Sequence, residues 1–347
     1  MSPQIYVYDP TIKDLQSKVR GVGRYLQILR ESFSDKFIFS DTFPSKSKSS
    51  TIFINPFFNM LQSPLSIRKI AKRQVAIIHD LIPLKYPTHF PIGFKGKLNV
   101  FLNRLDLHSY DLIITDSSSS KKDIMDILGL PDNKIKVVYP CLPKIFTDEN
   151  VKTTTQISNL QTMTDYCLYV GDATWNKNLV NIAKAIKLAD IPCIFVGKVF
   201  GDKVLSDKIA TDNMWRKELN EFNELAKNDK RFIFPGFVSD ERLINLYQQA
   251  YVNILVSKDE GFGFSCLEAA SQACPSLLSD SHLFHEISKD SARFVNPINP
   301  EEIAQIIKSF VLSPELRSEF GALALERSKL FSMQKFKKDF LETVQSA

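Results

Sequence analysis

The alternation of short apolar segments with helical stretches is the feature of this 347-residue sequence that most constrains its fold. The segments form two series of six. The first series occupies residues 5–8, 37–39, 52–54, 75–78, 112–115 and 136–139. The second occupies residues 166–170, 193–196, 232–234, 252–256, 276–278 and 292–295. Strands that alternate with helices predict parallel sheets covered by helices on both faces, and ligands of such sheets bind at the carboxyl ends of the strands.

The length and the two series together predict two doubly wound α/β domains that face each other across a cleft. A polar, threonine-rich stretch without periodicity separates the series and predicts a linker at residues 151–164. We therefore predict one Rossmann-like domain at residues 1–150 and a second at residues 165–328. The remaining residues, 329–347, are predicted to form a C-terminal helix that packs back toward the first domain.

The composition is that of a soluble globular protein, with 44% hydrophobic and 24% charged residues. No apolar run is long enough to span a bilayer, and the N-terminal residues do not have the pattern of a signal peptide. Five scattered cysteines without a Cys-x-x-Cys pair predict buried thiols in a reducing cytoplasm and give no support for a zinc site.

The charge is unevenly distributed along the chain. Residues 1–150 hold 21 Lys and Arg against 14 Asp and Glu, whereas residues 151–347 hold 23 against 25. The basic run at residues 68–73 lies near Phe57, Phe58, Met60 and Leu61. One interpretation is a solvated helix face, and the other is a weak contact with an anionic membrane. The excess is small and no recognition motif accompanies it, so a nucleic-acid partner is not expected.

Two carboxylates bracket a glycine-rich turn in the sequence from Glu260 to Glu268. An apolar strand candidate precedes this turn, and a helix-forming segment follows it. The unpaired N–H groups of a helix start form an anion site, and glycines let the backbone approach a phosphate closely. Carboxylates beside such a site are suitable acceptors for sugar or ribose hydroxyls. The segment therefore predicts a nucleotide-sugar site.

This segment resembles the Glu-x7-Glu motif of retaining GT-B glycosyltransferases of the glycosyltransferase group 1 (GT4-type) family. Further segments of the second half resemble the same family, at residues 169–178, 234–247, 279–286 and 331–336. In the first half, residues 21–25, 79–83 and 113–117 look like family landmarks in the right order. The resemblance thus extends over nearly the whole chain.

The resemblance assigns roles to individual residues. It implies that Glu260 contacts hydroxyls of the donor sugar, that Glu268 binds the ribose and that Lys177 stabilises the departing diphosphate. Further donor contacts would come from the backbone at Gly261, Phe262, Gly263 and Phe264, from Val238, and from a glycine loop at Gly21 and Gly23. His79 would belong to the active site, and Asp80 would contact an acceptor hydroxyl.

Each of these residues also has an ordinary structural interpretation. Glu268 could fold back on Ser265 in a capping box, and Glu260 could be a loop-surface carboxylate. Lys177 could be an exposed lysine before a helix, and the Gly-x-Gly an ordinary turn. A lone histidine such as His79 is usually structural, and Asp80 could cap the following turn.

Three features bear on how closely the chain follows the family. Asp172 stands where many members carry arginine, which weakens the predicted phosphate clamp, and Ala273 replaces the usual glycine at a helix end. The sequence contains no Asp-x-Asp motif, which argues against a metal-bound diphosphate. No metal and no other cofactor is expected.

The resulting prediction is a cytoplasmic, metal-independent, retaining hexosyltransferase. It would move a sugar from a nucleotide-sugar donor to a hydroxyl of a saccharide or lipid-linked glycan. Peripheral attachment to the inner membrane face is the second location left open. A non-catalytic, nucleotide-sugar-binding subunit of a glycan-assembly complex and a GT-B sugar-nucleotide epimerase or phosphorylase are the alternatives. An epimerase or phosphorylase should show its own acid–base set or a cofactor lysine, which the sequence does not identify.

Overall fold

A computed structural model describes residues 3–12, 21–42, 51–148, 165–201 and 214–346. The chain divides into two compact units, one formed by Met1–Pro143 with Phe331–Ala347 and the other by Lys144–Leu330. The linker predicted at residues 151–164 lies outside the described residues.

The first unit contains a parallel sheet of six described strands. These are β1 Gln4–Tyr8, β2 Phe37–Ser40, β3 Thr51–Asn55, β4 Arg73–Ile77, β5 Leu112–Thr115 and β6 Ile135–Val137. Their order is β2-β1-β3-β4-β5-β6, and every neighbouring pair is parallel. Each of the six apolar segments predicted for this half contributes one strand, within two residues at either end.

Helices connect the strands of this unit, and most of them bury apolar residues. They are α1 Gly21–Phe33, α2 Ile82–Lys85, α3 Gly93–Asp106 and α4 Ser118–Leu128. Helix α4 shows why the boundaries fall where they do. The hydroxyl of Ser117 accepts a hydrogen bond from the Ser120 N–H at its start, and Gly129 adopts a left-handed conformation, with φ of 70°, at its end.

The second unit contains another parallel sheet of six strands. These are β7 Cys167–Val170, β8 Cys193–Val196, β9 Phe232–Gly236, β10 Asn253–Leu255, β11 Ser276–Ser279 and β12 Arg293–Val295. Their order is β12-β11-β10-β7-β8-β9, so the chain leaves β7 in one direction and later returns to its other side with β10. This is the strand order of the dinucleotide-binding Rossmann fold. Its switch point lies between β7 and β10.

The helices of this unit are α5 Leu179–Ala189, α6 Met214–Ala226, α7 Asp240–Gln249, α8 Phe264–Ser271, α9 His282–Ser288, α10 Pro300–Leu312 and α11 Pro314–Ser328. Several begin with a side-chain cap, as at Ser239, Ser281 and Asn299. Aromatic rings fill one face of the sheet, where Phe195 packs against Phe200, Phe222 and Phe232.

The C-terminal helix α12, Met333–Ser346, packs on the first unit. Its buried Phe336 makes edge contact with Tyr25, and Phe340 packs against Phe33 and Phe37. The two doubly wound units and the return of this helix confirm the predicted fold class.

The basic run at residues 68–73 is not the helix face that one interpretation of the sequence assumed. Residues 68–72 form an irregular segment that leads into β4, and Lys69 pairs with Asp111. The apolar neighbours that a membrane contact would use are largely withdrawn, since Phe58 and Met60 are buried. The prediction of a solvated helix here is wrong because Arg73 and the residues that follow it extend the sheet.

Helix α3 buries its polar side. Asn99, Asn103 and Asp106 are each at most 5% exposed. The two asparagines donate to backbone carbonyls of the preceding loop, Asn99 to Leu61 and Asn103 to Met60 and Gln62. These bonds hold α3 on the loop that follows β3, through amide groups where most helices would use apolar side chains.

Asp106 on this helix should cost stability at neutral pH. Burial raises its pKa to about 6, although the Ser109 hydroxyl donates to one carboxylate oxygen and opposes the shift. The folded pKa lies above the unfolded value of about 3.9, so stability falls as pH rises from about 4 to about 6.

We expect Asp106→Asn, which keeps the acceptor for Ser109 but cannot ionise, to raise the unfolding free energy at pH 7.5 by about 1–2 kcal/mol. Urea unfolding at pH 5 and 7.5 should show a larger gain at the higher pH. Asp126→Asn, at an exposed acid on α4, is the matched control. An equal gain at both pH values would contradict the assignment.

Candidate functional site

The loop that follows β7 carries Lys177 and is held in one conformation. Residues Trp175–Lys177 form a single 3-10 turn, and Asn178 ends it with a left-handed backbone, φ 61°. The Asn178 amide donates to the carbonyls of Val256 at 2.9 Å and Pro297 at 2.6 Å. Asparagine tolerates this conformation better than most residues do, so its presence here fixes the backbone next to Lys177.

The loop after β7 is bonded to the loop after β10 along its length. The Lys258 N–H donates to the Asn176 carbonyl at 2.7 Å, and the Asn176 amide donates to the Asp259 carbonyl at 3.0 Å. The Lys258 ammonium lies 4.5 Å from the centre of the Trp175 ring and pairs with Glu218. The two loops therefore form one rigid platform at the switch point of the sheet.

Lys177 and Glu260 meet on this platform. The Lys177 Nζ lies 2.6 Å from Glu260 Oε1, and the same oxygen accepts from the Ser257 hydroxyl at 2.7 Å. The side chains of Lys177 and Glu260 are 19% and 8% exposed, so neither is the solvated surface residue of the alternative interpretations. Ser279 at the end of β11 donates to the Ser257 carbonyl and holds that serine in place. The site thus contains a pre-oriented ammonium and carboxylate.

The glycine turn leads directly into helix α8. Gly263 is its N-cap, with φ of 86°, and a Cβ there would lie 2.9 Å from Phe284 and 3.2 Å from Leu255. Only glycine fits this position without displacing core side chains. The ring of Phe262 is buried and packs against Phe264, with centroids 5.3 Å apart. The first N–H groups of α8 are left without helical acceptors, which gives this end of the helix a partial positive charge.

Glu268 does not take part in the capping box that its sequence spacing allows. That motif needs Ser265 as the N-cap, but the helix already begins at Phe264 and Ser265 lies inside its first turn. Instead, the buried Glu268 carboxylate accepts a hydrogen bond from the Tyr247 hydroxyl of α7 at 3.1 Å. The capping interpretation is therefore wrong. The proposed ribose contact stays a prediction.

Two further residues named from the sequence border this platform. Val238 is buried between β9 and α7, two residues after the left-handed Gly236, and its proposed donor contact stays a prediction. Asp172 is exposed, and its carboxylate accepts from the next backbone N–H, at Ala173. Its carbonyl accepts from the buried Tyr169 hydroxyl at 2.6 Å. The acid that replaces the family's arginine is thus part of a local turn at the end of β7.

His79 lies in the first unit, after β4. Its Nδ1 is 2.6 Å from Asp116, after β5, and its Nε2 is 3.1 Å from the carbonyl of Pro56, after β3. Burial lowers the pKa of His79, but the Asp116 carboxylate and the Pro56 carbonyl raise it more, so the net shift is upward. Both partners have acceptor oxygens, which favours a proton on each ring nitrogen. A catalytic role for His79 stays a prediction, and the geometry suits a fixed positive charge better than a proton acceptor.

The other first-unit residues take ordinary structural places. Asp80 accepts from the Ile82 N–H at 3.0 Å, which forms a turn just before α2, and its proposed contact with an acceptor hydroxyl stays a prediction. Gly21 and Gly23 were predicted in a loop, but α1 already begins at Gly21, so both lie in its first turn. The loop prediction is wrong at these two positions. Their proposed donor contact is not tested by the structure.

Several residues that organise the site were not named individually from the sequence. Ser257, Asn176 and Tyr247 orient Glu260, the lysine loop and Glu268, respectively. Tyr247 lies 21 residues before Glu268, so only the packing of α7 on α8 reveals the pair. Within the described ranges, no group of three or more metal-ligating side chains is present. All five cysteines fall in those ranges and are buried and free.

Two solved structures share the fold. Those of Anabaena Alr3699/HepE, one with UDP and glucose and one with UDP-glucose, match 99% of this chain and all of that chain. Their TM-scores are 0.70 and 0.71, at 14% and 16% identity. Together with the two parallel sheets, this similarity places the chain in the GT-B fold class.

Sequence comparison gives the family. The model described as glycosyl transferases group 1 matches residues 150–327, just over half of the chain. The chain belongs to this family. It is 25% identical over 255 residues to the O-antigen chain mannosyltransferase RfbU of Salmonella typhimurium, covering 73% of this chain and 65% of that protein. The Escherichia coli O-antigen chain mannosyltransferase B is 24% identical, over 76% of this chain and 68% of that protein.

Proposed function

We propose that the chain is a retaining, metal-independent glycosyltransferase that uses a nucleotide-sugar donor. The observation that carries the proposal is the Lys177–Glu260 pair at the switch point of the second sheet, beside the N-terminus of α8. Ligands of doubly wound sheets bind outside the carboxyl ends of the strands at such a point. Retention of the anomeric configuration is proposed from the family resemblance.

The charges of the site fit a departing nucleoside diphosphate. When the bond between the anomeric carbon and the phosphate oxygen breaks, the diphosphate takes both electrons and gains negative charge. The Lys177 ammonium and the free N–H groups at the start of α8 would stabilise that charge without a metal. The acceptor hydroxyl oxygen forms the new bond to the anomeric carbon, and its proton passes to the departing diphosphate or to water.

The carboxylates fit the sugar parts of the same donor. Glu260 is ionically paired and hydrogen-bonded, so its remaining oxygen would accept from hydroxyls of the transferred sugar. Glu268 would accept from the ribose hydroxyls, oriented by Tyr247. The structures of Anabaena Alr3699/HepE that share this fold contain UDP-glucose or UDP and glucose, which supports a nucleotide-sugar ligand for this chain.

We propose that the acceptor is a hydroxyl of a saccharide, either free or carried on a lipid, and that the reaction takes place in the cytoplasm or at the inner membrane face. Relatives named as O-antigen chain mannosyltransferases support a growing polysaccharide as the acceptor class. They also make a mannose nucleotide a natural first donor to test. No described helix combines the length and the apolar character needed to cross a membrane.

A second candidate is a nucleotide-sugar-binding subunit without turnover. Asp172 favours it, because an exposed acid replaces an arginine that would add positive charge near the diphosphate. The two candidates differ in one measurement. An enzyme releases nucleoside diphosphate when it is given the matching donor and acceptor. A binding subunit binds the same donor but releases no nucleoside diphosphate.

Release of nucleoside diphosphate should not require a divalent metal. We expect incubation with a panel of nucleotide sugars and saccharide acceptors to give equal rates with and without EDTA, because the charge stabilisation comes from Lys177 and α8. The rate is measured by diphosphate release and product mass. Loss of activity with EDTA that only Mg²⁺ or Mn²⁺ restores would contradict metal independence, but not donor use.

A further inference from the structure

Helix α3 exposes an apolar ridge. The solvent-exposed fractions along it are 87% for Phe94, 48% for Leu98, 59% for Phe101 and 49% for Leu105. At 100° per residue these four positions fall within an arc of about 60°, and they extend over about 16 Å of helix. Soluble proteins seldom expose two phenylalanines and two leucines in one line without a binding role.

The ridge is a fixed feature of the fold. Asn99 and Asn103 lie on the opposite side of α3 and donate to the carbonyls of Leu61, Met60 and Gln62. If the helix rotated to bury its apolar side, these carbonyls and amides would lose their partners, at a cost per group comparable with the gain from burying one leucine. The sequence therefore specifies a helix whose apolar side faces outward.

The charges beside the ridge all have one sign. Lys95 lies on one flank, and Lys97 and Arg104 lie on the other, and all three are exposed. The only acidic residue of α3, Asp106, is buried. On the neighbouring helix α4, Asp123 pairs with Lys85 and Asp126 pairs with Lys122, so each of these acids lies beside a lysine. The surface is apolar along its centre and cationic along both edges.

We propose that this α3 ridge is a docking surface for an anionic lipid bilayer. A basic amphipathic helix that presents phenylalanine and leucine between lysine and arginine lies in the interface of such a membrane, with its rings among the acyl chains and its cations at the head groups. A second copy of the chain is a poorer partner for the ridge, because the cationic edges of the two copies would repel each other. The surface lies in the first unit, outside the residues proposed to bind the donor, and does not depend on that proposal.

Vesicle flotation of the full chain tests the docking surface directly, without donor or acceptor. We expect binding to vesicles of phosphatidylcholine with phosphatidylglycerol to be at least about tenfold tighter than to phosphatidylcholine alone, and to weaken with salt. Phe94→Ser with Phe101→Ser should reduce binding to the anionic vesicles by about tenfold or more. Lys95→Glu with Lys97→Glu should do the same.

The matched controls are exposed residues away from the ridge. Ile298→Ser with Leu312→Ser removes two apolar side chains of the second unit that are 68% and 81% exposed, and Lys227→Glu with Lys230→Glu reverses two exposed lysines of the same unit. Both controls should bind like the wild type. Equal partitioning on neutral and anionic vesicles, or ridge variants that bind like the controls, would overturn the proposal. The proposal would also be overturned if the chain formed a concentration-dependent dimer that the ridge variants abolish. Preferential binding of an acidic protein over the anionic vesicles would overturn it as well.

Discussion

Replacement of Lys177 by alanine should lower turnover by about 10²- to 10³-fold, which corresponds to about 2.7–4 kcal/mol of barrier for the loss of one charge-stabilising group. The ammonium lies 2.6 Å from Glu260 on a loop fixed by Asn178, so no other described lysine is placed to substitute for it. The rate of diphosphate release at saturating donor measures the loss.

The best control for Lys177 is its neighbour Lys258. It is also 19% exposed and ion-paired on the same platform, but its partner is Glu218. Lys258→Ala should leave turnover within a few-fold of the wild type. Equal losses in the two variants would mean that the platform had been disturbed and that Lys177 has no special role.

A second control separates chemistry from folding. Removal of Lys177 leaves the Glu260 carboxylate, only 8% exposed, without its cation, which costs stability. The double variant Lys177→Ala with Glu260→Gln should recover the melting temperature, which would assign the stability loss to the unpaired carboxylate. Its turnover should stay low, because Glu260→Gln alone lowers it. If Lys177→Ala regained full turnover in an assay run well below its own melting temperature, the lysine would serve only to stabilise the fold.

Replacement of Glu268 by glutamine should weaken binding of the bare nucleoside diphosphate by about tenfold or more. This loss of affinity is the one expected when a hydrogen bond to a charged group is replaced by a weaker bond to a neutral group. The side chain keeps its size, so the fold should be retained. Glu260→Gln should instead lower turnover strongly and leave diphosphate affinity nearly unchanged, because its target is the transferred sugar. Titration calorimetry with the diphosphate separates the two.

Tyr247 supplies the matched control for Glu268. Tyr247→Phe removes the hydroxyl that donates to the carboxylate but leaves the negative charge in the site. We expect it to weaken diphosphate binding less than Glu268→Gln does. If Glu268→Gln bound the diphosphate as tightly as the wild type does, the ribose contact would be contradicted. A capping role that glutamine could fill does not offer another explanation, because Glu268 does not cap α8.

The strands could be predicted from sequence because buried parallel strands are short apolar runs, and each of the twelve runs became a strand. Lys177 and Glu260 could be named individually from their motifs. Their contact could not be predicted, since the residues are 83 positions apart and meet only because β10 inserts beside β7. The order of strands in a sheet depends on packing between distant segments, which local patterns do not contain.

The failures of the sequence analysis have a common physical origin. The capping box at Ser265 was compatible with the local spacing, but tertiary packing around Gly263 starts the helix one residue before that serine. The basic run at residues 68–73 was compatible with a helix, but pairing with β3 extends Arg73 into a strand. Helix α3 shows the same limit, because periodicity identifies an apolar side without showing whether it faces the core or the solvent.

The most direct test of the account is the binding of nucleoside diphosphates and their sugars, in the presence of EDTA, to the wild type and to Glu268→Gln. We predict that one nucleoside diphosphate, alone and with its sugar, raises the unfolding free energy of the wild type by about 2.7 kcal/mol at a ligand concentration one hundred times Kd. The same ligand should stabilise Glu268→Gln clearly less. A wild type that no nucleotide stabilises, or equal stabilisation of both proteins, would contradict the donor site proposed here.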